Sequence, residues 1–446
     1  MKSRFVRIVL LLLVLTMLTG CAPQKNEKSL NGVDISQYTI VYSQEAPDYC
    51  QRAAEYIQAQ IQQRTGVELP VCEASSGSYD HEILVGDTDR GLSKDLDSKS
   101  RKMEFYFKSD SNHIAMNADY FIIAAAAYYF VETYIPGSNF QSNIPSDKIT
   151  VCQPITEKAN NFIFLIGDGM GPNQTKMFDY FPIPEDVPYY DGEDIFYGYY
   201  LPYQGYIRTG SLSGVTDSAA GATALACGYK TINGYVGKDA YGDDVQSLTE
   251  LAITLGKATA VMSTDLQTGA TPAGFSSHAM SRDDSNDILE GQVKLMTEND
   301  TIFECGLHAT EEYQYYITEA LDQLDMSENG FFVMYEEGYI DKFSHNMDTE
   351  GTFTCLIRFN QAIGLFMEYA FYHPDTFLLI TADHETGGLH INSEGNMEYG
   401  VSSHTGADVP IFAYGQGAEV FQDYNEENNE VPKVIAALWG VEDFGE

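Results

Sequence analysis

The chain has 446 residues, 44% of them hydrophobic and 20% charged, a balance that excludes a disordered or fibrous protein and leaves room for two or three domains. Its formal net charge of −40 excludes nucleic acid and anionic surfaces as electrostatic partners, because both need a positive footprint. An anionic small molecule would have to be captured by local cations such as bound divalent metals, since salt screens the repulsion beyond about 8 Å.

Residues 1–20 read as an export signal, in which Lys2, Arg4 and Arg7 precede an apolar run over residues 8–18. That run is shorter than the roughly 20 residues a membrane-spanning helix needs. Leu18-Thr19-Gly20-Cys21 resembles a bacterial lipobox, which implies acylation of Cys21, a polar tether over residues 21–34, and an exported cell-surface or periplasmic lipoprotein held to the membrane by its lipid. Six further cysteines follow, none with C-x-x-C spacing, so a zinc knuckle is not expected. Export permits disulfides, and Cys50 with Cys72 would make a local one.

Residues 35–155 alternate strand and helix signals. Residues 38–42 are β-like, and residues 48–64 carry Tyr49, Ala53, Ile57 and Ile61 at helical spacing, with Gly66 placed to end the helix. Strands are expected at 82–85 and 113–116. The apolar segment 120–135, interrupted by Glu132 and closed by Pro136, reads as a helix buried on a sheet. In "GVELPV" and "ILVGDTDR" this stretch resembles the small α/β accessory domains of glycoside hydrolases. That resemblance implies no catalysis and leaves both a glycan contact and a purely structural role open.

Beyond a linker near residues 154–160, apolar strands repeatedly run into polar residues: 162–166 into Asp168, 258–262 into Ser263, 331–334 into Glu336, and 377–380 into Asp383 and His384. In an open parallel sheet such residues gather outside the carboxyl ends of the strands, where ligands bind. Residues 178–206, rich in Tyr and Pro, show no period and read as a loop, either lining an entrance or packing its aromatics on the domain.

Hydrolysis of a phosphate ester needs an in-line nucleophile, cations near the attacking and leaving oxygens, and donors for the equatorial oxygens. Ser218, in "VTDSAAGATALACGYK", precedes an Ala/Gly-rich run that can form a helix, whose free N–H groups and dipole suit an incoming phosphate. An N-cap role for Asp217 or Ser218 is the structural alternative. Asp168 in "FLIGDGMG", the T-D-S-A-A run and the following G-Y-K-T-x-N-G are how alkaline phosphatases read, and the family's remaining motifs follow in order to residue 446.

The resemblance implies a three-layer αβα sandwich around a mostly parallel sheet (residues 158–446), added to the small N-terminal α/β domain. It also implies hydrolysis of phosphate monoesters through a phosphoserine on Ser218, with two zinc ions and one magnesium. Carried over by position, Asp341, His345 and His404 would hold one zinc; Asp168, Asp383 and His384, with Ser218, the other; and Asp168, Thr271 and Glu336 the magnesium. Arg282 would clamp the phosphate and Lys342 assist through water. Glu336 is preferred to Glu337 because it keeps the family's step of five to Asp341. His81, His113, His308 and His373 read as structural, and His278 and His390 have no family role.

Two departures stand out. Gly269, two residues before Thr271, stands where many relatives carry Asp or His, which predicts a weaker magnesium site. Only nineteen residues separate His384 from His404, too few for a large inserted lobe. The family is commonly dimeric, and the sequence leaves a homodimer open. Two other functions also stay open: a phosphodiesterase on the same fold, and a glycan-binding surface lipoprotein with an inactive phosphatase domain. A sulfatase is disfavoured, because Ser218 is followed by Ala219-Ala220 rather than Pro-x-Arg.

Overall fold

The structure is a computed structural model that describes residues 28–43, 48–96, 102–183, 195–310 and 312–446. The expected export signal, Cys21 and most of its tether lie outside the described residues, as do residues 184–194 of the Tyr- and Pro-rich stretch. Among the described residues no helix is long and apolar enough to cross a membrane.

The N-terminal part is built on a six-stranded sheet of β1 (Thr39–Tyr42), β2 (Val71–Glu73), β3 (Glu82–Val85), β4 (Phe105–Ser109), β5 (His113–Ala118) and β6 (Ile149–Val151), in the order β2-β1-β3-β5-β4-β6. The first four strands in that order are parallel, and β4 runs against both its neighbours. Helix α1 (Asp48–Thr65) buries the stripe of Tyr49, Ala53, Ile57 and Ile61 that its spacing predicts. Gly66 ends it at φ +75°, its N–H still donating to Gln62 O at 2.8 Å. Helix α2 (Ile122–Tyr134) is the predicted apolar segment, buried along most of its length. Cys50 and Cys72 form no disulfide with each other. The Cys50 sulfur packs under Gly86, where an added Cβ would lie 2.5 Å from it, whereas Cys72 sits beside Tyr79, so the local bridge is not made.

The second part is a three-layer α/β sandwich around an eight-stranded sheet. Its strands are β7 (Asn161–Gly167), β8 (Tyr203–Arg208), β9 (Ala258–Ser263), β10 (Ile302–Cys305), β11 (Phe331–Glu337), β12 (Thr376–Thr381), β13 (Val409–Tyr414) and β14 (Asn425–Glu427), in the order β10-β9-β11-β7-β12-β13-β8-β14. The five strands from β10 to β12 are mutually parallel, and β13 runs antiparallel between β12 and β8. The fully buried parallel strands read as unbroken apolar runs, as strands covered on both faces must. Much of the Tyr-rich stretch is core rather than entrance: Phe196, Tyr197 and Tyr200 are buried, and residues 203–208 form a strand.

The two parts share one continuous apolar core. Helix α2 packs against both α1 and α6 (Thr349–Tyr372). Phe121 stacks on Phe371 with ring centroids 6.0 Å apart, Tyr56 on Tyr372 at 4.3 Å, and Arg52 makes a forked ion pair with buried Glu368 at 2.7 to 3.0 Å. Burial raises the Glu368 carboxyl and the Arg52 guanidinium opposes it, so losing Arg52 would strand a desolvated acid.

Candidate active site

At the carboxyl ends of the parallel strands, short segments present polar side chains to one another. Asp168 directly follows β7, and its N–H donates to Glu337 O at 3.1 Å. Gly169 turns the chain at φ +76°; a Cβ there would lie 2.9 Å from both the Asp341 Cα and the Thr386 hydroxyl, so only glycine lets these segments meet. Helix α5 (Tyr339–His345) carries Asp341 and His345 one turn apart on the same face. Asp383 and His384 follow β12, and His404 is delivered by a short strand pairing residues 404–405 with 385–386.

Two groups of three donors result, Asp341 with His345 and His404, and Asp168 with Asp383 and His384. In the first, His345 Nε2 lies 3.0 Å from His404 Nε2, and Asp341 Oδ1 lies 3.3 and 3.4 Å from these two nitrogens. In the second, His384 Nε2 lies 3.2 Å from Asp383 Oδ2 and 3.5 Å from Asp168 Oδ1. Ligands on a tetrahedral ion with bonds of about 2.0 Å stand about 3.3 Å apart, so both groups have the spacing of a coordination shell. Asp168 Oδ1 and Asp383 Oδ2 are buried without a hydrogen bond, which is costly unless a cation faces them.

The imidazoles are oriented for this task. Nδ1 of His345 donates to Ser402 O and Nδ1 of His404 to Thr216 O, both at 2.8 Å, which leaves the Nε2 lone pairs pointing inward. Thr386 links the groups: its hydroxyl donates to Asp341 Oδ1 at 2.5 Å and lies 3.3 Å from His384 Nδ1. Burial, then the neighbouring Asp383, Asp341 and Glu336, push the Asp168 carboxyl well above its ordinary value. Burial, then Asp341, raise Asp383 to about 7. Burial also disfavours the charged form of His384 and lowers its pKa. For Asp341 burial is outweighed by His404, His384 and Thr386, which hold its carboxyl low.

Ser218 opens helix α3 (Ser218–Cys227), and its Oγ lies 3.2 Å from His384 Nε2. Asp217 is the N-cap: Oδ1 accepts from Ala220 N and Oδ2 from Gly234 N, each at 3.0 Å. Oδ2 also takes Arg282 Nη1 at 3.4 Å, so the arginine leans toward the start of the serine helix and not toward Asp283 or Asp284. Its charge reaches Asp168 and His384 as well.

The family model for alkaline phosphatase matches residues 159–312 and 307–403. The chain belongs to the alkaline phosphatase family. Its similarity to alkaline phosphatase 3 of Bacillus subtilis is 28% identity over 295 residues, 54% of this chain and 64% of that protein. The repressible alkaline phosphatase of Saccharomyces cerevisiae is 27% identical over 327 residues, covering 52% of this chain and 56% of the relative. The chain thus spans between about half and just under two thirds of the length of these curated relatives. Among solved structures, the alkaline phosphatase of the Antarctic bacterium TAB5 matches 65% of this chain and all of its own, at 25% identity and a TM-score of 0.55.

In this member of the family the two glutamates closing β11 face opposite ways, as strand geometry requires. Glu336 accepts from the Ser263 hydroxyl and lies near Thr271, in helix α4 (Ala270–Gly274); burial, then Asp265, raise its carboxyl to about 8. The Thr271 hydroxyl is buried and makes no well-formed hydrogen bond. Glu337 turns instead to Thr264 Oγ1 at 2.8 Å and forms a third donor group with His308 and Cys355. There Arg358 donates to His308 Nδ1 at 3.3 Å and its charge opposes the rise that burial imposes on Glu337, so the protein supplies that group's cation itself. Lys342 pairs with Asp265 and stands 4.1 Å above the Tyr339 ring.

Ser263 is at the strand end where the sequence placed it; Asp265 and Thr386 are contributors that sequence reasoning did not single out, and of these only Thr386, two residues after His384, carried a local signal. His278 is structural. It donates from Nδ1 to Gly237 O at 2.7 Å and from Nε2 to Glu250 Oε1 at 2.9 Å. Burial pulls its pKa down, but Glu250 and Gly237 outweigh that and raise it, while the pair lowers Glu250 against its own burial. The raised histidine contributes stability in full below its ordinary 6.5 and loses it as pH rises through the folded value; the lowered glutamate does so above 4.5 and loses it as pH falls. His278→Gln is therefore expected to cost about 1–2 kcal/mol at pH 6 and less at pH 9. Thermal melts at the two pH values check this, and an equal cost at both would mean the imidazole is neutral.

Proposed function

We propose that this chain hydrolyses phosphate monoesters through a phosphoserine on Ser218, using two zinc ions on the two donor groups and a magnesium ion on Asp168, Thr271 and Glu336. The observation that carries this reading is the position of Ser218 Oγ, 3.2 Å from His384 Nε2 at the start of a helix. A nucleophile, a metal-donor group and the positive end of a helix dipole thus share one space.

The His and carboxylate groups suit borderline zinc, and the all-oxygen set suits magnesium. When bound, such ions supply Lewis acidity that favours the serine alkoxide and offsets charge on the ester oxygens. The protein's groups do the positioning. Arg282 can hold two equatorial oxygens with its planar fork, and Asp217 keeps that fork beside the serine. Ser218 gives its hydroxyl proton to solvent and attacks phosphorus in line, the ester P–O bond breaks, and the alcohol leaves with a proton taken back from solvent. Water then attacks the phosphoserine, releasing phosphate and restoring the hydroxyl. Lys342, its charge partly offset by Asp265, would reach phosphate through water. On this reading residues 158–446 are catalytic, residues 35–155 are accessory, and Cys21 anchors the enzyme to the membrane.

The test is turnover of p-nitrophenyl phosphate against bis(p-nitrophenyl) phosphate at alkaline pH, before and after chelation and reloading with zinc and magnesium. Metal-dependent turnover favouring the monoester is expected. Faster turnover of the diester would reassign the chain as a phosphodiesterase, and none of either by folded, metal-loaded protein would leave a binding role.

A further inference from the structure

Gly269 opens helix α4 two residues before Thr271, and the space its missing side chain leaves is not empty. A Cβ at residue 269 would lie 2.8 Å from Asp265 Oδ2 and 2.9 Å from Leu266 O. Asp265 comes from the turn that follows β9, four residues earlier in the chain. Its N–H donates to Ser263 Oγ at 2.8 Å, and its carbonyl accepts from Gly306 N at 2.6 Å, so the residue is held from both sides. The same Ser263 hydroxyl donates to Glu336 Oε2, which ties the Asp265 backbone to the Glu336 carboxylate through one atom.

The side chain is divided between two tasks. Oδ1 takes the Lys342 ammonium, and Oδ2 is turned to the space beside Gly269. Gly338, next to Glu337, is equally tight: a Cβ there would lie 3.1 Å from the Asp265 Cβ and 3.4 Å from the Glu336 carboxyl carbon. Asp265 and Glu336 thus lie on either side of Gly338, close enough for the Asp265 charge to raise the Glu336 carboxyl even with Lys342 bonded to the other Asp265 oxygen. Beside them the Thr271 hydroxyl is fully buried against Glu336, and Asp168 Oδ1 is buried with no hydrogen bond, so buried oxygens converge in this corner.

We infer that Asp265 stands in for the side chain absent at residue 269, its Oδ2 completing the all-oxygen magnesium site of Asp168, Thr271 and Glu336 directly or through one bound water. This rests on the proposed function only in taking that oxygen set to be a magnesium site. Asp265 is a positioning residue for the ion. Lys342, bonded to its other oxygen, tempers the charge so that the site is acidic without being overloaded.

The test measures magnesium binding to the full-length, zinc-loaded protein by equilibrium dialysis and calorimetry, with no substrate present. Asp265→Asn, which keeps the shape and removes the charge, is expected to weaken magnesium about 10- to 100-fold while zinc content stays at the wild-type level. Gly269→Ala, whose methyl would force Asp265 Oδ2 aside, is expected to weaken it in the same direction; φ at Gly269 is −58°, which alanine adopts freely. Metal-free melting temperatures check that both variants fold, since a merely structural Asp265 would shift the melt and leave the magnesium constant alone. Unchanged magnesium affinity in both folded variants, or no magnesium binding by the parent protein, overturns the inference. Weakened magnesium binding in a protein that turns over no phosphate ester would instead sink the proposed function and leave the role of Asp265 intact.

Discussion

Ser218→Ala is expected to lower turnover of p-nitrophenyl phosphate by at least about 10³-fold and to abolish phosphoprotein formation, while leaving zinc content unchanged. In the proposed mechanism the hydroxyl forms the covalent bond, so its loss removes a reaction route rather than weakening one. Metal binding should survive because the proposed serine oxygen would add to a group whose other donors, Asp168, Asp383 and His384, are fixed by β7 and the turn after β12. The fold should survive too: alanine is accommodated at the first turn of a helix whose cap is Asp217. Rapid acid quench with radiolabelled substrate, together with metal analysis, reads both outcomes. A labelled protein in the alanine variant would show that another residue is the nucleophile.

Removing the metals is expected to have the second large effect, on stability as much as on rate. Asp168, Asp341, Asp383 and Glu336 are all buried at one strand-end cluster, and no bound cation means that several must take up protons. Burial and mutual repulsion place Asp383 at about 7 and Glu336 at about 8 in the metal-free protein. Between the ordinary carboxylate range near pH 4 and these values, the metal-free fold binds more protons than the unfolded chain. Its stability therefore falls as pH rises across that window. Metal binding must in turn expel those protons, and stabilises the fold by about 4 kcal/mol at a thousandfold excess over the dissociation constant. Calorimetric zinc titrations near pH 7 in buffers of different ionisation enthalpy should report proton release, and chelated protein should melt lower at pH 8 than at pH 6. A metal-free melt independent of pH over that range would mean the carboxylates are already neutralised by protein groups.

Much of the site was legible in the chain alone. Apolar strands ending in Asp168, Glu336 or Asp383 announced a parallel sheet with its chemistry at one edge, because side chains beyond a buried strand have nowhere else to converge. The one-turn spacing of Asp341 and His345 is a local helical property, and the Ala-rich run after Ser218 can form a helix that packs closely on its neighbours. The stripe of α1 and the apolar length of α2 were likewise set by periodicity. Strand β8 was not legible: Tyr203 to Arg208 alternates weakly, and its pairing with β13 and β14, 200 residues and more away, is what makes it a strand.

What only the tertiary structure decided concerns partners far apart in sequence. The family's step to Asp341 already favoured Glu336 over Glu337, but the environments that separate them, Ser263 and Thr271 on one face of β11 and Arg358 on the other, exist only once the layers above and below are in place. Arg282 had acidic neighbours on its own segment and took Asp217 instead, 65 residues earlier. Asp265 carries no motif and drew its significance from the glycine opposite. The sequence by itself determined the family chemistry, because that chemistry needs given residue types on short, locally structured segments. Packing determined how the groups are shared, paired and oriented, because burial and distance, on which their charges and hydrogen bonds depend, exist only once the segments meet.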